Sequence, residues 1–124
     1  MVQSQNKKVD LTIKGTSYMG IASYGDIMIG DEAFEYYNEK NVKDFIQIPW
    51  DQVEYVSASV YFNKWISRFA IFVENGSRSF SFSSRDNKKV LRAINKYVPS
   101  NKLLKSPTFL GVIRKGLFSL FKKH

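Results

Sequence analysis

The chain has 124 residues, of which 44% are hydrophobic and 15% aromatic, and it carries a net charge of +8. This length and apolar content fit a single domain with a true core, and the aromatic share suits β-rich packing. The sequence has no cysteine and no long apolar run, which excludes disulfides, thiolate metal sites, cysteine nucleophiles and a membrane-spanning helix.

The first half of the chain reads as short strands joined by turns. Residues 1–8 are polar and are expected to form a flexible N-terminus without a secretory signal. Alternating or continuous apolar residues separated by the turn signals Gly25–Asp26 and Gly30–Asp31 predict the strands that follow. Strands are expected over residues 9–14, 27–29 and 34–37, the last two forming a tight hairpin, and residues 18–24 are expected to form a further extended run.

The second half of the sheet is predicted in the same way. A polar loop leads to a short strand that ends at Pro49, and apolar residues on both faces of residues 65–74 indicate a central strand. Asn75–Gly76 is the strongest hairpin signal, because both residues tolerate positive φ. The strands expected here are residues 45–48, 53–62, 65–74 and 77–83, with a turn at 63–64.

An amphipathic helix is predicted over residues 86–98. Its apolar residues recur at helical spacing, Asp86 or Ser84 can cap its start, and Pro99 ends it. Its other face is basic and is formed by Lys88, Lys89, Arg92 and Lys96.

The order of elements predicts an α+β fold. Six or seven strands joined by short turns are expected to be antiparallel and to bend into a small barrel, with the helix capping its open end. The expected organisation is a flexible N-terminus over 1–8, one domain over 9–98, a linker over 99–107 and a terminal helix over 108–124.

The terminal segment over residues 108–124 has the pattern of a basic amphipathic helix. Ser106 and Pro107 suit its first turn, bulky apolar residues share one side and basic residues lie opposite or at the border. This pattern is typical of interfacial membrane binding, although such helices also dock on their own domain or on a second subunit. The candidate membrane- or partner-binding residues are Phe109, Leu110, Ile113, Arg114, Lys115, Leu117, Phe118, Leu120, Phe121, Lys122 and Lys123.

Charge is concentrated in the last third of the chain. Residues 86–124 contain ten basic residues and one acidic residue, Asp86, which gives them a net charge of +9. Such asymmetry indicates an anionic partner, namely nucleic acid, a lipid surface or an acidic protein face, unless it is only a solvated surface with a basic bias. Nucleic acid is less favoured, because there is no helix-turn-helix spacing, although exposed Tyr55, Tyr61 and Trp65 would be able to stack on bases.

The inventory of reactive residues argues against an enzyme. The only histidine is His124, at the end of the chain, and no cysteine or phosphate-binding glycine motif is present. We therefore expect no cofactor, no metal and no catalytic residue. A group of acidic residues near the first hairpin lacks calcium-loop spacing and is expected to be a solvated tip. It consists of Asp26, Asp31, Glu32 and Glu35.

Several runs of sequence resemble a known family. The early hairpin, Ile48-Pro49-Trp50, the Asn-Gly hairpin and the capping helix resemble the pleckstrin-homology-like (PH-like) and GRAM-like superfold. The runs VDLTIKGTSYMGIASYG, IMIGDEAFEYYN, NVKDFIQIPWDQVEYV, RFAIF and KKVLRAINKYVP are similar to those of the ManO family of small Firmicutes proteins. Members are named regulators of the mannose operon, so the resemblance implies a bacterial cytoplasmic protein linked to mannose-type phosphotransferase components.

The function expected from these observations is a non-catalytic regulatory or interaction module. It would bind a phosphotransferase component or anionic lipid, in the cytoplasm or peripherally at the inner membrane face. The alternative is a DNA-binding transcriptional regulator of the mannose operon. Whether the chain forms a homo-oligomer is left open by the sequence.

Overall fold

The computed structural model describes residues 3–61 and 65–107, and within them it forms eight strands and one α-helix. The first four strands are β1 Val9–Ser17, β2 Ser23–Gly30, β3 Ala33–Asn38 and β4 Phe45–Pro49. They are followed by β5 Tyr55–Tyr61, β6 Trp65–Val73, β7 Arg78–Ser84, helix α1 Asn87–Asn95 and β8 Leu103–Pro107. Short 3₁₀ turns lie at Trp50–Gln52, Glu74–Gly76 and Ser100–Lys102. The predicted α+β class is confirmed.

The strands form one sheet in the order β4-β3-β2-β1-β7-β6-β5-β8. Every neighbouring pair is antiparallel except β5 and β8, which are parallel. The predicted closed barrel is wrong for the described residues, because β4 and β8 remain as edges that do not pair with each other. The predicted count of six or seven strands is also wrong, since residues 103–107, expected to be part of a linker, form the eighth strand.

The sheet divides at β1, and its two halves face each other across the core. Strand β2 pairs with β1 over its whole length, whereas β7 pairs only with Gly15–Ser17. The ring of Phe34 on β3 lies 6.1 Å from that of Phe69 on β6 and 4.8 Å from that of Phe82 on β7. Helix α1 fills the opening with Val90 and Ile94, both fully buried. Burying each of these side chains contributes about 1.5–3 kcal/mol.

Both ends of α1 are fixed to the sheet. The Asp86 carboxylate accepts a hydrogen bond from the Lys89 amide at 3.1 Å, which confirms the predicted cap. Buried Asn87 donates from Nδ2 to the Ile66 carbonyl at 2.7 Å and accepts from the Ser84 amide. Beyond the other end, Tyr97 stacks on Trp50 at 5.2 Å and donates its hydroxyl proton to Asp10.

One predicted turn is part of a strand. Gly25 lies inside β2, where it pairs with Gly15 on one side and Asn38 on the other. A Cβ atom at Gly25 would lie 2.0 Å from the Tyr37 carbonyl oxygen, so the glycine permits close approach rather than a reversal. The reversal occurs earlier, at Gly20, which has φ of +72°.

Residues 3–8, expected to be flexible, form an arm that crosses the β2–β3 turn. The Asn6 side chain accepts from the Glu32 and Ala33 amides, both at 2.8 Å, and donates to the Ala33 carbonyl and to Glu35. Glu35 is fully buried beneath the arm and also accepts from the Gln5 amide at 2.7 Å. The prediction of a solvated acidic tip is therefore wrong for Glu35.

Another acidic residue of the predicted tip is also used by the arm. The Asp31 carboxylate accepts hydrogen bonds from the Lys8 and Lys7 amides. The bond from Lys8, followed by that from Lys7, lowers the pKa of the Asp31 carboxyl below its usual value.

Candidate anion-binding surface

The exposed face of α1 carries cations that have no acidic partner in the described part of the chain. Lys88, Lys89 and Arg92 are exposed, and no described residue forms an ion pair with any of them. Lys96 differs, because its Nζ lies 3.3 Å from the Asp10 carboxylate, and the hydrogen bond to Asp10 raises the pKa of Lys96. Among the described residues, three of the four predicted basic-surface residues thus lack an acidic partner, and the fourth binds Asp10 of β1.

A shallow groove runs between α1 and the sheet beside these cations. Its volume is about 240 Å³, and it has an apolar floor formed by Ile66, Leu91 and Leu103. Lys88 and Arg92 lie along its rim. Apolar contact next to unpaired cations suits a ligand that is both anionic and apolar.

A second depression lies where α1 begins. Trp65, Arg85 and Lys88 line this depression of about 330 Å³. Arg85 is exposed and forms no ion pair with a described residue, and the Trp65 side chain is 59% exposed. Asp86 also lines this depression, and its carboxylate accepts from the Lys89 amide as the cap of α1.

A third depression, of about 300 Å³, differs electrostatically, although Arg85 also borders it. It lies between β1 and β2, and its other described cation, Lys14, is close to two carboxylates. The Lys14 Nζ lies 3.0 Å from Asp26 and 3.4 Å from Glu39. The hydrogen bond to Asp26 is the main cause of the raised pKa of Lys14. Neutralisation by these carboxylates makes this depression a weaker anion site than the surface of α1.

The remaining predicted site residues lie outside the described part of the chain. Residues 108–124 contain the whole of the predicted membrane- or partner-binding set. The structure does fix where this segment begins, because Pro107 pairs with Val60 at the end of β5. The segment therefore begins at the end of the sheet that also carries Trp65, since Tyr61 pairs with Trp65.

Sequence reasoning did not single out Arg85, Leu103 or the groove. Arg85 follows a strand and precedes a cap, which gives it no periodic signal. Leu103 joins the groove only because β8 pairs with β5, a contact between distant parts of the sequence.

Two other kinds of feature, a metal site and a membrane-spanning helix, are absent from the described residues. Within residues 3–61 and 65–107, no group of histidine, cysteine, aspartate or glutamate side chains is arranged to hold a metal ion. No helix in that part of the chain is long and apolar enough to cross a membrane. What this surface presents to a partner is positive charge beside apolar side chains.

Comparison with known proteins gives a family and a fold. A family model described as "Domain of unknown function (DUF956)" matches residues 1–117. No curated protein matches the sequence. A crystal structure of the C-terminal domain of an unknown protein from Leishmania infantum is similar, with a TM-score of 0.62 and 9% sequence identity. The match covers 73% of this chain and 83% of that chain, and at this identity the similarity concerns the fold alone.

Proposed function

The chain belongs to the DUF956 family, whose function is unknown, and we propose that it is a non-catalytic regulatory module that binds an anionic surface. The bound surface would be the inner face of the membrane at a mannose-type phosphotransferase transporter. The mannose link is supported by the sequence resemblance to the ManO family. We also propose that the domain is a member of the PH-like superfold. The binding mode is supported by the unpaired cations beside the apolar groove.

The observation that carries this proposal is a group of cations on and just before α1 that form no ion pair with the described residues. Lys88 and Arg92 border the groove, and Arg85 borders the adjacent depression. A lysine or arginine near an anionic leaflet is worth about 1 kcal/mol, so these three residues would strengthen binding by about two powers of ten. Peripheral attachment normally needs a second, apolar contribution, which the pattern of residues 108–124 would supply.

Sedimentation with vesicles of phosphatidylserine and phosphatidylcholine tests the proposal. We expect the double substitution Lys88→Gln, Arg92→Gln to weaken pelleting by about 30-fold, corresponding to about 1 kcal/mol for each cation. The matched control is Lys40→Gln, Lys43→Gln, which removes the same charge from the exposed β3–β4 loop. Equal losses for the two pairs would show that net charge alone governs binding and would contradict a defined surface.

The contribution of the terminal segment needs its own comparison. A chain ending at Ser106 removes Pro107 and residues 108–124. We expect this truncated chain to remain in the supernatant at lipid concentrations that pellet the full chain, because it lacks the apolar contribution. Equal pelleting of the two chains would reject the role of the terminal segment.

Two further assays separate the membrane from other anionic partners. A gel shift with DNA from upstream of the operon and with scrambled DNA tests the transcriptional alternative, which requires sequence-dependent binding that weakens steeply with salt. A pull-down from cells with and without detergent asks whether transporter subunits accompany the protein. Recovery of these subunits with protein that does not bind lipid would identify a protein surface as the partner.

A further inference from the structure

The two tryptophans of the chain have very different environments. Trp50 stacks on Tyr97 at 5.2 Å and donates from Nε1 to the Gly30 carbonyl at 2.8 Å. Trp65 begins β6, and its side chain is 59% exposed. The first indole belongs to the core, whereas the second presents a large amphipathic ring to the surroundings.

The exposed indole lies among cations. Trp65, Arg85 and Lys88 line one depression together with Asp86, whose carboxylate caps α1. Indole rings favour the boundary between the hydrocarbon and the headgroups of a bilayer, and arginine and lysine favour anionic headgroups. These three residues therefore combine the two chemistries that an anionic lipid surface offers.

The chain topology brings a third feature to the same end of the sheet. Tyr61, which pairs with Trp65, is 39% exposed, and Val60 beside it pairs with Pro107. The covalent chain therefore enters residues 108–124, with their apolar and basic sequence, at the end of the sheet that carries Trp65, with β5 between Pro107 and Trp65. The surface around Trp65 and the segment 108–124 have similar chemistry and share one end of the domain, so we expect this end to face a bilayer.

We propose that this end of the domain docks on an anionic phospholipid bilayer, with Trp65 inserted at headgroup level and Arg85 and Lys88 against lipid phosphates. The inference rests on the proposed function and adds the orientation of the docked domain. It assigns to Trp65 the role of an interfacial anchor.

The β1–β2 loop supplies a matched control. Ile21 is 93% exposed in the β1–β2 loop, which leaves the sheet after Ser17. Helix α1 begins beyond Ser84, at the level of Gly15, and is therefore displaced from that loop along the strands. If the bilayer were bound by any exposed apolar residue, Ile21 would be the stronger candidate.

Quenching of tryptophan fluorescence by brominated phosphatidylcholine in phosphatidylserine vesicles tests the orientation in the full-length chain. We expect vesicles to shift the wild-type emission to shorter wavelength and to quench it, and Trp65→Phe, which retains Trp50, to lose both changes. Ile21→Ser should behave as wild type. Trp65→Ser should weaken pelleting by about tenfold, because the variant loses the free energy of burying the indole ring in the bilayer.

The outcomes separate this inference from the proposed function. Pelleting without quenching of Trp65, or loss of pelleting in Ile21→Ser but not in Trp65→Ser, would overturn the orientation and leave membrane binding intact. Failure of the wild-type chain to pellet with vesicles would overturn both. Quenching that depends on Trp65, together with normal binding of Ile21→Ser, supports the orientation.

Discussion

Asn6 is the residue whose replacement best tests the role of the N-terminal arm. Its side chain makes four hydrogen bonds, to the Glu32 amide, to the amide and carbonyl of Ala33, and to the Glu35 carboxylate. Ala33 and Glu35 are fully buried, so water does not readily replace Asn6 as their partner. The arm should therefore be an integral part of the fold.

The expected loss of stability follows from these four bonds. A neutral hydrogen bond contributes about 1 kcal/mol, a bond to a charged group about 1.5–3 kcal/mol, and an unsatisfied buried group adds its desolvation cost. Glu32 is exposed, so its amide recovers a bond with water in the variant. We expect Asn6→Ala to lower the free energy of unfolding by about 3 kcal/mol.

Urea denaturation followed by circular dichroism measures this effect. With a denaturant slope of about 2 kcal/mol per molar, the transition midpoint should fall by about 1.5 M. Gln5→Ala is the matched control, because the Gln5 side chain makes one exposed bond, to Gln47 at 3.2 Å, and should cost less than about 0.5 kcal/mol. Midpoints of the two variants that agree within error would refute the reasoning.

Three other substitutions and a pH series test further contacts of the fold. The Tyr97 hydroxyl is the main cause of the lowered pKa of Asp10, so Tyr97→Phe should move that pKa toward its ordinary value in a carboxyl NMR titration. Asp31, which does not contact Tyr97, should keep its lowered pKa, and a parallel change in both would contradict the assignment. Because both carboxyls have lowered pKa values in the folded state, stability should fall as the pH drops below about 4, and thermal melts across that range check this sign. Gly25→Ala would force a Cβ atom against the backbone and should lower the free energy of unfolding by about 3 kcal/mol. The control Gly20→Ala places a Cβ atom with no other atom within 4 Å and should lower it by about 1 kcal/mol, because Gly20 has positive φ. Equal melting temperatures of the two variants would reject the argument that Gly25 permits close approach.

Local patterns predicted the elements whose causes are local. The apolar stripe and the Asp86 cap predicted α1, since both depend on residues within a few positions of each other. The Asn75–Gly76 signal predicted the β6–β7 hairpin, and Asn75 indeed has φ of 59°. Both elements are present, but α1 ends at Asn95 rather than at residue 98, and the turn takes residues 74–77 rather than two residues.

The features that sequence reasoning missed depend on distant contacts. Strand β8 has only five residues, and because it pairs in parallel with β5, the sequence contains no hairpin turn that would predict it. Gly25 looks like a turn residue until the carbonyl of Tyr37 is placed beside it. The polar residues of the arm look like a loose terminus until the buried Glu35 carboxylate gives them a partner.

The candidate surface follows the same division. The basic face of α1 was predictable because helical spacing alone places Lys88, Lys89 and Arg92 opposite the core. The engagement of Lys96 was not, because its partner Asp10 lies 86 positions away along the chain. The groove could not be predicted either, since its floor joins residues from α1, β6 and β8.

The distribution of carboxylates shows which described cations are paired within the fold and which stay exposed without an acidic partner. Asp10 pairs with Lys96, Asp26 with Lys14, and Glu35 is buried beneath the arm, so these acids are used within the fold. The cations on the exposed face of α1 receive no such partner from the described residues, although clustered like charges reduce the stability of a folded chain. Stability alone therefore does not account for this cluster, and the proposed anionic partner would neutralise its charge. Because residues 108–124 begin at the same end of the sheet, the cations and that segment would engage one surface together, and losing either should weaken attachment more than its own contacts suggest.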